Sequence, residues 1–297
     1  MSLRDSIRGM SGRRGGEEAG RAGEPVAVTA ESVAAGLRQR EFNMHFQPII
    51  ALATGDLVGA EALLRWEQPG VEEAAPARQF MSKAVTSGVL SEMSESVVGP
   101  ACEFARDFQI EGKRTFTLGV NLSATQLADG VAAVASVREA LATSQLPPWC
   151  LLLEVPEHAL LAGAPDLPRT LERLAKIGIG VVIDDFWGSE RVDQLLATPG
   201  LRGVKLDVRS NTNNEATREQ LHTAARLARE RSLSVTAKRV ESLFEIEFAR
   251  ELLCDFVQGH AYGRPMTAQA FRAFADGMPA PGEAAAEATP DDQRLAS

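Results

Sequence analysis

Met44-His-Phe-Gln-Pro-Ile-Ile50, Ala51-Leu-Ala-Thr-Gly-Asp56 and Leu57-Val-Gly-Ala-Glu-Ala-Leu63 decide the fold between them. The outer two stretches are apolar or alternating runs of strand length. The middle one is turn-like and too short to hold a crossover helix, which a parallel pairing would require. The first two strands are therefore expected to be antiparallel. Further runs of the same kind follow at 115–121, 150–155, 179–185, 203–207, 233–237 and 255–258. Most of the connections between them show helical spacing. Leu167, Leu171, Leu174 and Ala175 share one helical face, as do Leu221, Ala224, Ala225 and Ala228 within 213–231. Strands alternating with helices over this length predict an α/β chain, a TIM-like (β/α)₈ barrel with an antiparallel first strand. An open doubly wound sheet is the alternative. Its nucleotide loop would have to be Gly178-Ile-Gly180, which lacks the third glycine.

The chain has 297 residues, 44% of them apolar, which is enough for a sizeable core. Residues 1–27 are rich in Gly, Arg, Glu and Ser and predict a disordered tail, with Arg4, Arg8, Arg13 and Arg14 as a weak basic arm. Residues 28–277 are expected to form the barrel. Residues 278–297 predict a second disordered tail, this one acidic. A formal net charge of -9 argues against binding long nucleic acid, because phosphate backbones call for a surplus of Lys and Arg. Cys102, Cys150 and Cys254 are widely spaced, without a CxxC pair, and read as buried thiols in a reducing compartment. No apolar run approaches the roughly 20 residues of a spanning helix, and the N-terminal residues carry no signal-peptide core. The expected location is the cytoplasm, without membrane association.

In a barrel the C-terminal ends of the strands build the site. The polar residues there are Gln47, Glu61, Asn121, Glu154, Asp184, Asp185, Lys205 and Gln258. Taken singly, each carboxylate reads as a loop residue just past its strand. Taken as a set on successive strands, they predict convergence. Buried carboxylates must be paired or metal-bound. Oxygen ligands without His or Cys suit Mg²⁺ or Mn²⁺. Such a site can orient a water and stabilise in-line displacement at a phosphodiester, with a lysine helping to position that water.

These motifs resemble those of the EAL domain family, the cyclic di-GMP phosphodiesterases. The resemblance runs from Phe46-Gln-Pro-Ile49 through Glu61-Ala-Leu63, Asn121-Leu-Ser123, Glu154-Val-Pro-Glu157, Asp184-Asp-Phe186 and Val204-Lys-Leu-Asp207 to Gln258-Gly-His-Ala-Tyr-Gly-Arg-Pro265. It covers about residues 30 to 275, and it implies a barrel with an antiparallel first strand. It also implies that Glu61, Asn121, Glu154 and Asp184 bind a first metal and Asp185 a second. Lys205 would contact the attacking water. Arg65 would pair with a ligand phosphate, and Gln47, Leu63 and Gln258 would line the substrate site with Glu61. Glu157 would hold the loop after Asp185.

The sequence departs from the family in three places. The family's Ala-Glu-Gly-Val-Glu segment reads Ala237-Lys-Arg-Val-Glu241, so Lys238 replaces the catalytic glutamate and Arg239 the glycine. A lysine offers no anionic oxygen to a metal and cannot accept a proton while charged. Trp187-Gly-Ser-Glu190 replaces the family's Gly-Thr-Gly loop, and Ser82-Lys-Ala-Val-Thr86 lacks its usual proline and acids. Two readings of Lys238 stand at this stage. In one it is a counter-ion for Asp185 or Glu154 in place of a metal. In the other it turns to solvent and the first metal still binds. The functions implied are a degenerate module that senses cyclic di-GMP or binds a protein, or an active phosphodiesterase yielding pGpG. The family's habit of dimerising makes a homodimer a further expectation.

Overall fold

The computed structural model describes residues 27–112, 116–122, 130–188, 191–209 and 214–278. Apart from Ala27 and Met278, both tails expected to be disordered lie outside these residues, as do Ser123, Ser189 and Glu190.

The turn at 51–56 folds as its composition requires. β1 (Phe42–Ala51) and β2 (Leu57–Trp66) form an antiparallel hairpin with Gln47 opposite Glu61. From β2 the order runs in parallel through β4 (Thr117–Asn121), β5 (Leu151–Pro156), β6 (Gly180–Asp184), β7 (Leu201–Asp207), β8 (Ser234–Lys238) and β9 (Phe256–Gln258). β1 then pairs antiparallel with β9 as well, which closes the barrel. Closure excludes the open doubly wound sheet. Two two-residue strands, β3 (Ala75–Pro76) and β10 (Met266–Thr267), extend β2 and β1 respectively.

The helices lie outside. They are α1 (Ala30–Arg38), α2 (Ala77–Ser87), α3 (Leu90–Gly112), α4 (Gly130–Ser144), α5 (Glu157–Leu161), α6 (Leu167–Ile177), α7 (Val192–Leu196), α8 (Glu215–Glu230), α9 (Leu243–Glu251) and α10 (Ala268–Asp276). Local chemistry explains their limits. Asn214 caps α8 by accepting from the Ala216 and Thr217 amides, and α6 stops at Gly178 in the left-handed region. The predicted faces pack inward. Leu221, Ala224, Ala225 and Ala228 are all buried, as are Leu167, Leu171 and Leu174, while Ala175 is half-buried. The three cysteines are buried and free, as their spacing implied. Among the described residues no helix is long and apolar enough to cross a membrane.

Candidate functional site

Strand register alone brings the polar residues together. Glu61 lies level with Gly119, Asn121 with Glu154, Asp207 with Lys238, and Lys238 with Gln258. Because alternate side chains of a barrel strand point inward, this register stacks carboxylates, amides and ammonium groups at one end of the barrel interior.

Two lysine-centred groups result. In the inner one, the buried Lys205 Nζ lies 2.9 Å from Glu61 Oε2 and 2.5 Å from Glu154 Oε1, and donates to Gln258 Oε1 at 3.1 Å. Gln258 Nε2 donates to Glu61 Oε2 at 2.7 Å and to Gln47 Oε1 at 3.1 Å. Asn121 Nδ2 donates to Glu61 Oε1 at 2.5 Å. In the outer group, Lys238 Nζ lies 2.7 Å from both Asp184 Oδ1 and Asp185 Oδ1. Its side chain is only 13% exposed, so it does not turn to solvent. Its partners are the two aspartates. Glu154, the other counter-ion expected from sequence, is held by Lys205, because β5 and β7 flank β6 on either side. Glu157 Oε2 accepts the Trp187 amide at 2.5 Å, tying α5 to the turn after Asp185. Asp185 itself has φ +50°, a left-handed geometry that Asp tolerates better than most residues.

The two inner glutamates are driven apart in acidity. Burial raises Glu61, but Lys205's charge and hydrogen bonds from Gln258, Lys205 and Asn121 outweigh it and bring it down to about 2. Burial, reinforced by the charge of Glu61, pushes Glu154 up to about 8 despite its short contact with Lys205. Burial and like charge prevail over that contact, since Lys205's charge is shared and Glu61 has the more complete hydrogen-bond set. For Lys205, burial opposes the charge, but the flanking carboxylates raise its pKa overall.

A pH dependence follows. Between about pH 4.5 and 8 the folded Glu154 keeps a proton that the unfolded chain releases, so its contribution to stability declines as pH rises through that window and levels off above it. Glu154→Gln should abolish this decline, gaining on wild type by at most about 1.4 kcal/mol per pH unit. Parallel urea-denaturation profiles of the two proteins from pH 5 to 8 would contradict this.

Glu154 can lie where it does because Gly119 on β4 has no side chain; a Cβ there would collide with the Glu154 carboxyl. Nothing in the run 115–121 sets Gly119 apart by sequence alone. Arg239 presents the opposite case. It adopts φ +61°, a conformation suited to glycine, and its exposed guanidinium lies 3.0 Å from Asp207 Oδ2. Arg239→Gly relieves strain and loses an ion pair, whereas Arg239→Ala only loses the pair. The glycine variant should therefore be the more stable of the two by about 1 kcal/mol in urea denaturation; the reverse order would refute the strain.

A cleft of about 530 Å³ opens beside Lys238 and the Gln47–Gln258–Glu61 hydrogen bonds. Gln47, Glu61, Leu63, Arg65, Lys238 and Gln258 line it, joined by Arg78, Arg209, Arg239, Glu241 and His260. Arg78 and Arg209 were not singled out from the sequence, since neither lies at the end of a strand-type run. The hairpin register could have found Arg78, because Arg65 pairs with Pro76 two residues before it.

The donor set bears on a metal. Glu154 Oε2 is buried and has no hydrogen-bond partner among the described residues. With oxygens of Glu61, Asn121 and Asp184 nearby, that chemistry fits one hard divalent cation. Between Asp184 and Asp185 it does not fit a second, because an ammonium already bridges them. Among the described residues no three His, Cys, Asp or Glu side chains gather as a ready cage, consistent with lysines lying between the carboxylates.

A closed barrel whose first strand is antiparallel, with lysine-bridged carboxylates gathered at one end of its interior, defines an α/β-barrel protein with a charged polar site. The EAL domain family model matches residues 30–265, and the chain belongs to that family. It is 34% identical over 238 residues to the bifunctional diguanylate cyclase/cyclic di-GMP phosphodiesterase MucR of Pseudomonas aeruginosa, covering 78% of this chain and 34% of MucR. It is 32% identical over 248 residues to the cyclic di-GMP phosphodiesterase NbdA of the same species, covering 82% of this chain and 31% of NbdA. The chain thus spans about a third of the length of these curated relatives. A solved structure of the PaMucR phosphodiesterase in complex with c-di-GMP superposes with a TM-score of 0.76 at 31% identity, covering 81% of this chain and 98% of that one. The Xanthomonas citri FimX EAL domain in complex with c-diGMP, at 22% identity and a TM-score of 0.70, shares the fold.

Proposed function

We propose that this chain is a cyclic di-GMP signalling domain that binds the nucleotide without hydrolysing it and transmits its state to a protein partner. The observation that carries the reading is the placement of Lys238 Nζ, 2.7 Å from Asp184 Oδ1 and from Asp185 Oδ1. The ammonium takes the place of a second cation and supplies its charge, but it offers neither a bound water nor a vacant coordination position. It also cannot act as a general base while protonated, and its pKa is raised: burial lowers it, but the aspartates outweigh burial. Lys205 is committed to two glutamates in the same way. The remaining cleft can hold an anion, and neither Lys205 nor Lys238 is free to activate water. Gln47, Leu63, Arg65 and Gln258 would line the ligand, and Glu157 would steady the turn beside it.

One observation favours a second reading, an active Mg²⁺- or Mn²⁺-dependent phosphodiesterase giving pGpG. The unpartnered Glu154 Oε2 beside Glu61, Asn121 and Asp184 could serve one cation. A bound cation there would polarise a phosphoryl oxygen. The chain's own residues would then have to release Asp184 from Lys238. A cytoplasmic location accords with three buried free thiols, and the protein partner includes a second copy of the chain.

Calorimetry with cyclic di-GMP in buffer containing EDTA tests the proposal. Binding without added metal is expected. Binding that appears only when Mn²⁺ is added would overturn the role given to Lys238.

A further inference from the structure

The cleft holds more positive charge than its own carboxylates absorb. Its lining includes Arg65, Arg78, Arg209, Lys238 and Arg239 against Glu61 and Glu241. Three of these cations have partners of their own. Lys238 is bound by Asp184 and Asp185, Arg239 reaches Asp207 at 3.0 Å, and Arg209 reaches Glu241 at 2.9 Å. The other two are Arg65 and Arg78. Arg65 donates one bond to the Leu64 carbonyl at 3.1 Å, and its nearest acid, Glu61, is already engaged by Lys205, Gln258 and Asn121. Arg78 forms no ion pair within 4 Å among the described residues.

These two arginines are held on the same wall. Arg65 pairs across β2–β3 with Pro76, and α2 begins at Ala77, which sets Arg78 in the helix's first turn. A cation is disfavoured there by the helix dipole, and no acidic residue in that turn offsets it. Arg65 also feels Arg78 directly. Its pKa is lowered by burial first and by the Arg78 charge as well, against the opposing pull of Glu61. Two neighbouring guanidiniums with no carboxylate between them repel. An anion placed between them removes the repulsion, offsets the dipole and receives two forked donor groups. A phosphodiester, whose single negative charge is shared by two non-bridging oxygens, can accept from both forks at once.

We propose that Arg78 and Arg65 together clamp one phosphodiester group of the ligand, and that Arg78 determines the affinity of this cleft. The clamp rests on the reading of the cleft as a dinucleotide site. It adds a residue on α2, outside the strand ends that supply the rest of that site.

The test is calorimetry with cyclic di-GMP in EDTA on the wild-type chain, Arg78→Lys, Arg78→Ala and Arg78→Glu. Arg78 is exposed, so none of these changes disturbs the core. Arg78→Ala should weaken binding about tenfold, the loss of a charged hydrogen-bonding partner. Arg78→Glu should weaken it further, and Arg78→Lys should retain part of the affinity. The dependence of log Kd on log salt should become shallower in the alanine variant by about one ion. If wild type binds and both Arg78→Ala and Arg78→Glu bind equally well, the clamp is overturned while the dinucleotide reading stands. If wild type does not bind at all, the dinucleotide reading falls and the clamp with it.

Discussion

Lys238→Glu should turn a barrel that needs no metal between Asp184 and Asp185 for its stability into one that depends on it. In wild type the ammonium 2.7 Å from both Asp184 and Asp185 offsets one of their two negative charges within the fold. The substitution replaces that cation with a third carboxylate at the same point. Removing one partner of a buried ion pair costs about 3–5 kcal/mol. The lower end applies here, because the side chain keeps 13% exposure toward the cleft. In a domain of this size that corresponds to a fall of roughly 6–12 °C in Tm when measured in EDTA. Mn²⁺ should then restore stability, by about 2.7 kcal/mol at a hundredfold excess over its Kd, while leaving wild type almost unchanged. Metal calorimetry gives the same contrast as affinity. Equal Mn²⁺ affinity in wild type and Lys238→Glu would remove the basis for calling Lys238 a substitute for a cation.

Lys205→Met should have the largest effect on stability alone. Methionine keeps the length and apolar stem and deletes the charge. The Lys205 side chain is 3% exposed and lies between Glu61 and Glu154, so its loss leaves two carboxylates facing each other in the barrel interior. A cost of about 3–5 kcal/mol is expected at pH 8. The pH dependence gives the cause. Without Lys205 both glutamates titrate higher in the folded state than the ordinary 4.5, so the folded variant binds protons that the unfolded chain releases. Its deficit against wild type should grow as pH rises above about 4.5 and shrink on acidification. Urea denaturation at pH 5 and pH 8 reads both quantities. A deficit below about 1 kcal/mol at pH 8, or one that does not change with pH, would show that Lys205 does not hold the two glutamates as described.

The strands were legible in the sequence because burial writes itself as short apolar runs. The runs at 44–50 and 57–63 became β1 and β2, and each later run became a strand within a few residues of its expected limits. The antiparallel start was legible because six connecting residues cannot hold a crossover helix, a geometric constraint that needs no knowledge of tertiary contacts. The convergence of Asn121, Glu154, Lys205 and Gln258 was legible for the same reason, since their places at or near strand ends, together with strand register, determine where they meet, whereas Glu61 lies mid-strand in β2 and joins them through its register with β4.

Partner choice was not legible. Whether Lys238 reached Asp185 or Glu154 depended on which neighbouring side chains Lys205 had already engaged, and nothing periodic in the chain records that. Arg78 was invisible for a related reason. It lies on a helix and reaches the cleft only because β3 folds back on β2. Gly119 carries no chemistry of its own, so its role appears only when Glu154 is seen lying over it.

The central claim is that a lysine standing among the aspartates leaves a site that holds cyclic di-GMP and does not cut it. The direct measurement is an incubation of the protein with cyclic di-GMP and Mn²⁺, followed by chromatography for pGpG. The cyclic dinucleotide should be recovered intact. Formation of pGpG by wild type, abolished by Glu61→Ala, would contradict it.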